Sequence, residues 1–141
     1  MDFKGRERLS WEETALRLAF DVARYRVQDP WVQVGCVIMK KDKSFILSYN
    51  GGPSGVDIDW SDRTERRKRI LHAESNGCNF IKPGEAEFLA CTALSCPECI
   101  KLIKQKRIAR IIYRDELPGY NNEFSKILAK EFNIILQQMT V

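Results

Sequence analysis

The sequence predicts an α/β fold: one domain over residues 1–141, built on a five-stranded mixed sheet flanked by helices. Three observations lead there. A chain of 141 residues suits a single hydrophobic core. Short β-branched, apolar segments alternate with longer stretches that show helical apolar periodicity and capping signals. The first two strand segments are separated only by a turn, whereas the later ones are separated by helices. That order implies an antiparallel hairpin followed by parallel strands joined through right-handed crossovers.

Each element has its own warrant. Ser10-Trp11-Glu12-Glu13 is a capping-box pattern, and Ala15, Leu16, Ala19, Phe20, Val22 and Ala23 continue it as a helical stripe to about Arg24. Asp29-Pro30 ends that helix. Val32 to Met39 is apolar enough for a buried strand, Lys40–Lys43 reads as a turn, and Phe45–Tyr49 reads as the returning strand. Asn50–Gly55, with three glycines and a proline, is a loop. It is either a plain surface turn or a place where backbone approaches a ligand closely. The charged run Asp57–Arg69 reads either as a solvated face or as a source of one or two arginines for a phosphate.

A second helix is expected from His72 to about Phe80, with Gly77 tolerated for close packing. Phe88–Thr92 is a third strand. Ser95 and Glu98 suggest a second capping box, which puts Cys96 and Cys99 in the first turn of the next helix, ending near Lys104, Lys106 and Arg107. Ala109–Tyr113 is a fourth strand. Asn122 is expected to cap a helix that buries Phe124, Ile127, Leu128 and Phe132, and Asn133–Leu136 is a fifth strand.

Composition narrows the class. The chain is 44% hydrophobic and 30% charged, as in an ordinary globular protein, and no apolar run approaches the roughly 20 residues of a membrane span. Met1–Arg8 lacks the apolar core of a signal peptide, so a cytoplasmic setting is expected. Five cysteines are an odd number and two form a ligand-like pair, which argues against a disulfide framework; Cys36, Cys78 and Cys91 read as buried thiols. A net charge of +4 suits an anionic small molecule and does not by itself indicate nucleic acid.

The chemistry concentrates in His72-Ala73-Glu74 and Cys96-Pro97-Glu98-Cys99. His72 is the only histidine of the chain. One imidazole and two thiolates suit zinc and leave a fourth position for water, whose pKa such a metal lowers to about 7. Their charges sum to zero with a divalent ion, so a hydroxide is not repelled. Glu74 is placed to carry protons beside it. A lone His-x-Glu or a lone Cys-x-x-Cys is a weak or moderate signal. Both together, at helix starts after strands, outweigh a structural zinc knot or a metal-free coincidence. This order of residues is a known signature of zinc nucleobase deaminases.

From Trp11 to Val141 the chain resembles the deoxycytidylate deaminases of the cytidine-deaminase superfamily. The resemblance is carried by Asp29–Ile38, by the loop Tyr49–Gly55, by His72-Ala73-Glu74-Ser75-Asn76 and by Ser95–Cys99. It implies a three-layer cytidine-deaminase-like fold and hydrolytic conversion of dCMP to dUMP, which supplies thymidylate synthesis. It further implies one zinc ion on His72, Cys96 and Cys99, with Glu74 as the catalytic proton carrier. By the same resemblance the Ala73 backbone meets the pyrimidine edge, Asn50 the deoxyribose 3′-hydroxyl and Arg26 the phosphate, while Tyr113 and Arg114 close the nucleotide site. It implies a homohexamer, dCTP and dTTP as effectors with an accompanying Mg2+ ion, and a cytoplasmic enzyme of a kind that would suit a phage or virus. Ser95 and Gly77-Cys78 depart from the family's usual proline and alanine-aliphatic residues. The rival readings are a related zinc deaminase acting on dCTP, cytidine or a transfer-RNA adenosine, and a non-catalytic zinc-stabilised module that binds nucleotides.

Overall fold

A computed structural model describes residues 7–141; residues 1–6, on which most of the reading of the N-terminal segment rests, lie outside the described part. Helix α1 (Trp11–Arg26) is followed by strands β1 (Gly35–Lys40) and β2 (Phe45–Tyr49), and then by the short helices α2 (Arg63–Arg67) and α3 (Ala73–Cys78). Strand β3 (Ala86–Ala93), helix α4 (Pro97–Gln105), strand β4 (Arg110–Asp115), helix α5 (Asn122–Glu131) and strand β5 (Ile135–Gln138) complete the chain. The sheet order is β2-β1-β3-β4-β5. β1 is antiparallel to both β2 and β3, while β3, β4 and β5 run parallel, as the hairpin-then-crossover pattern predicts.

Strand alternation divides the core into two layers. Cys36 and Ile38 of β1, Leu89 and Cys91 of β3 and Ile111 of β4 pack with Ala73, Cys78, Ile100, Ile103, Leu128 and Ala129 on one face. Val37, Met39, Phe88, Ala90 and Ile112 pack on the other face against Ala15, Leu16 and Ala19 of α1. α1 and β1 approach so closely that a Cβ on Gly35 would sit 1.9 Å from the Ala19 carbonyl oxygen. The sheet is therefore the middle of three layers, with α1 on one side and α3, α4 and α5 on the other.

Several boundaries differ from the sequence reading for local reasons. Ser10 Oγ accepts from the Glu13 amide at 3.1 Å, but the Glu13 carboxylate pairs with Arg17, so only half of the capping box forms. β1 begins at Gly35 and not at Val32, because the Asn50 side chain occupies the strand partner's place. Its Oδ1 accepts from the Val34 amide at 2.8 Å and its Nδ2 donates to the Val32 carbonyl at 3.0 Å. α4 starts at Pro97 with Cys96 as N-cap, so Ser95 caps nothing. Pro at the first helical position fixes the start one residue later than the capping box suggests.

α5 is capped by Asn121, which accepts from the Phe124 amide at 3.1 Å, and not by Asn122. It turns Ser125, Leu128 and Ala129 inward, and leaves Phe124 and Ile127, expected in the core, exposed. α3 stops at Cys78, before Phe80, which is exposed. Gly77 does owe its place to packing: a Cβ there would meet Ser48 Oγ at 2.7 Å and Ile38 Cδ1 at 3.0 Å. Among the described residues no helix is long and apolar enough to cross a membrane.

Candidate metal and active site

His72 is the N-cap of α3, Cys96 is the N-cap of α4, and Cys99 lies in the first turn of α4. Neither N-cap side chain bonds its own helix, which leaves imidazole and thiol free to turn toward each other. His72 Nδ1 lies 3.4 Å from Cys99 Sγ and 3.5 Å from Cys96 Sγ, and the three ligand atoms lie within 4.8 Å of one another. A tetrahedral zinc with ordinary bond lengths would hold a nitrogen and a sulfur about 3.6 Å apart. The donor set and its two nitrogen–sulfur spacings therefore fit that ion.

Residues 9–115 match the family model described as the cytidine and deoxycytidylate deaminase zinc-binding region. The chain belongs to the cytidine and deoxycytidylate deaminase family. It is 34% identical over 116 residues to a probable deoxycytidylate deaminase of Caenorhabditis elegans, which covers 72% of this chain and 57% of the worm protein. It is 30% identical over 121 residues to the deoxycytidylate deaminase of Mus musculus, which covers 77% of this chain and 66% of the mouse protein. The chain thus spans somewhat under two thirds of these relatives. In fold it is similar to a dCMP deaminase from the cyanophage S-TIM5 solved in complex with dCMP and dUMP. The TM-score is 0.79 at 21% identity, covering 95% of this chain and 100% of that one.

In this zinc-binding deaminase domain two of the candidate ligands, His72 and Cys96, line a cavity of about 460 Å³ including its open mouth. Val32, Val34, Asn50, Arg66, Ile70, Ala73, Glu74, Ala93, Leu94, Leu117 and Tyr120 complete the lining with His72 and Cys96. Glu74 is 4% exposed, and burial raises its carboxyl pKa. Ser95 Oγ is close enough to oppose that rise but makes no well-formed hydrogen bond, so the hydroxyl missing from the helix cap is turned toward the site.

The two thiols differ. Cys96 is pulled down to about 4, first by the hydrogen bond from the Cys99 thiol and then, against burial, by one from His72. Cys99, which gives that hydrogen bond and is buried, is pushed up. His72 is raised by its bond to Cys96.

The structure brings together only some of the residues expected from sequence. His72, Cys96 and Cys99 converge, with Glu74, Ala73 and Asn50 around the same cavity. Arg26, Tyr113 and Arg114 do not line it. Arg26 lies over the Tyr49 ring, 5.6 Å from its centroid, with Nη2 3.3 Å from the Tyr49 hydroxyl. Arg114 stacks on Phe20 of α1 at 3.8 Å and pairs with Asp115, on the opposite side of the sheet from the candidate ligands. Tyr113 is buried within β4.

In place of Tyr113 and Arg114, the loop beyond β4 supplies Leu117 and Tyr120. Its Pro118-Gly119 step could have signalled this, because ligands of parallel sheets gather beyond the carboxyl ends of strands. Arg66 was legible only as one member of a basic run.

Proposed function

We propose that the protein deaminates dCMP hydrolytically to dUMP with release of ammonia. The observation that carries this reading is the His72–Cys96–Cys99 triangle at the wall of a cavity that also holds a buried carboxyl, Glu74. The family membership and the naming of its relatives as deoxycytidylate deaminases support it. Zinc on the three ligands would supply a Lewis acid that makes water a competent nucleophile near neutral pH.

The chain's own groups do the rest. Glu74 takes a proton from the attacking water and delivers it to N3 of cytosine as the C4–O bond forms, then takes the proton of the new C4 hydroxyl and passes it to the amine as the C4–N bond breaks. Burial raises its pKa, the direction that helps a group that must hold a proton as well as release it. The Ala73 carbonyl already accepts from Ser48 Oγ at 2.7 Å, so its amide, an unpaired donor of the first helical turn, is the group left for the pyrimidine edge. Asn50 spends one amide hydrogen and its oxygen on Val32 and Val34, and keeps the other amide hydrogen for a sugar hydroxyl.

Hexamer assembly, dCTP and dTTP as effectors and the accompanying Mg2+ belong to the same proposal and rest on the family resemblance. A free nucleotide as substrate accords with a cytoplasmic enzyme, cellular or phage-encoded.

A panel of dCMP, dCTP, cytidine, deoxycytidine and transfer-RNA adenosine, followed by the ultraviolet change on loss of the amino group, tests the reading. dCMP should be turned over fastest, and preference for another member would refute it. Glu74→Ala should keep its zinc and lose about 100- to 10,000-fold in turnover; near-normal activity would remove Glu74 from the mechanism.

A further inference from the structure

We propose that Arg66 is the oxyanion receptor of this cavity and takes the 5′-phosphate of the nucleotide through one edge of its guanidinium. The inference rests on the nucleotide-deamination reading and assigns its phosphate contact to a residue expected there only as part of a basic run. Arg66 is 1% exposed, although arginine is rarely buried unless paired. Its Nη1 lies 3.2 Å from Asp29 Oδ2, and Asp29 is itself buried. Asp29 is in turn fixed by the Trp31 and Val32 amides, which donate to its Oδ1 at 2.8 and 3.2 Å.

That pair does not use up the guanidinium. Nε and Nη2 of Arg66 are buried with no hydrogen-bond partner, and Asp29 Oδ2 lacks a well-formed one. Arginine–carboxylate pairs frequently set two guanidinium donors against two carboxylate oxygens. Here Asp29 holds the group from behind, through Nη1 alone. Nε and Nη2 share one edge of the planar guanidinium, the fork that matches two oxygens of a phosphate. Leaving two such donors dry and unpaired is costly, and an oxyanion would satisfy both.

The location fits a nucleotide. Arg66 lines the same cavity as His72, Glu74 and Asn50, and among the described residues it is the one arginine that does so. A second depression shares Arg66, Ile70, His72 and Tyr120 with that cavity and adds Arg67 and Gly119, without Glu74 in its lining. A base near His72 and Glu74 with its sugar at Asn50 would leave the phosphate to this side. Arg26, expected at the phosphate, lies on Tyr49, and Arg114, expected to close the nucleotide site, stacks on Phe20.

The test compares a nucleotide with its nucleoside. Arg66→Lys keeps a cation beside Asp29 but has no fork, and Arg66→Gln removes the charge. Where Arg66→Gln fails to fold, the Asp29→Asn/Arg66→Gln pair removes both buried charges together. Each variant is assayed for kcat/KM on dCMP and on deoxycytidine, and for affinity toward dUMP and deoxyuridine. Arg66→Lys and the neutral variant should lose on the order of 100-fold on dCMP and on dUMP affinity. Their values for the two nucleosides should stay within about threefold of the parent.

Equal losses on nucleotide and nucleoside would make Arg66 a structural residue and overturn the proposal, as would unchanged dCMP values. A parent protein that deaminates nothing would refute the reaction and leave the binding arm to decide. dUMP bound more tightly than deoxyuridine, by a margin that vanishes in Arg66→Lys, would uphold the receptor; equal affinities would overturn it.

Discussion

Asn50→Ala should both loosen the fold and disable the cavity. The side chain accepts from the Val34 amide at 2.8 Å and donates to the Val32 carbonyl at 3.0 Å, and Asn50 itself is 4% exposed. Truncation leaves one backbone donor and one backbone acceptor without partners. Each half-buried orphan costs about 1–1.5 kcal/mol, so the sum is about 2–3 kcal/mol. Val32 and Val34 both line the cavity, so the segment released is the one that shapes the substrate side of the site. Urea denaturation should give a lower midpoint with an unchanged m-value. The Val34 amide should lose its protection from hydrogen exchange, and kcat/KM for dCMP should fall at least tenfold. A stability change below about 0.5 kcal/mol, together with a Val34 amide as protected as before, would refute the claim that this side chain stands in for a strand.

Further predictions follow from packing and titration. Gly35→Ala puts a Cβ 1.9 Å from the Ala19 carbonyl oxygen and 2.9 Å from the Ala23 nitrogen, all backbone, so α1 must move off β1; thermal melting should register a loss of about 3 kcal/mol or more. Gly77→Ala meets Ser48 Oγ at 2.7 Å, so a double-mutant cycle with Ser48→Ala should return a favourable coupling of about 1 kcal/mol, and strict additivity would contradict the contact. The Cys78 thiol is pushed up to about 12, mainly by burial. The folded state therefore holds this proton more tightly than the unfolded one, where the thiol titrates near its ordinary 9.0. Its contribution to stability is full below that value and is lost as pH rises from 9 toward 12, which alkaline unfolding curves of Cys78→Ala against the parent would detect. Thiol counting after chelation should find Cys96 reactive and Cys36, Cys78, Cys91 and Cys99 silent until denaturant is added.

The candidate metal site was legible in the sequence because its chemistry is scarce: one histidine, one Cys-x-x-Cys, and helix starts that bring them together. The sheet was legible because hairpin and crossover spacing fixes strand direction, and β3, β4 and β5 are parallel as that spacing requires. Elements whose state depends on distant partners were less legible. Val32 and Val34 have the composition of a strand, yet a side chain sixteen residues beyond Val34 takes the place of a neighbouring strand. Helix α2 lies in a run whose charges hide any apolar periodicity, and its N-cap, Asp62, accepts from the Thr64 and Glu65 amides. The stripe on α5 has two apolar sides, and only packing against α4 and β5 decides that Leu128 and Ala129 face in while Phe124 and Ile127 face out. Arg66 differs from its basic neighbours only through Asp29, thirty-seven positions earlier, and no local pattern records that pairing.

X-ray absorption at the zinc K-edge of the purified protein tests the central claim most directly. One zinc per chain with two sulfur ligands, one imidazole nitrogen and one further light-atom ligand exchangeable with solvent is the expected result. A shell completed by a fourth protein ligand, or protein that takes up no zinc while correctly folded, would contradict it.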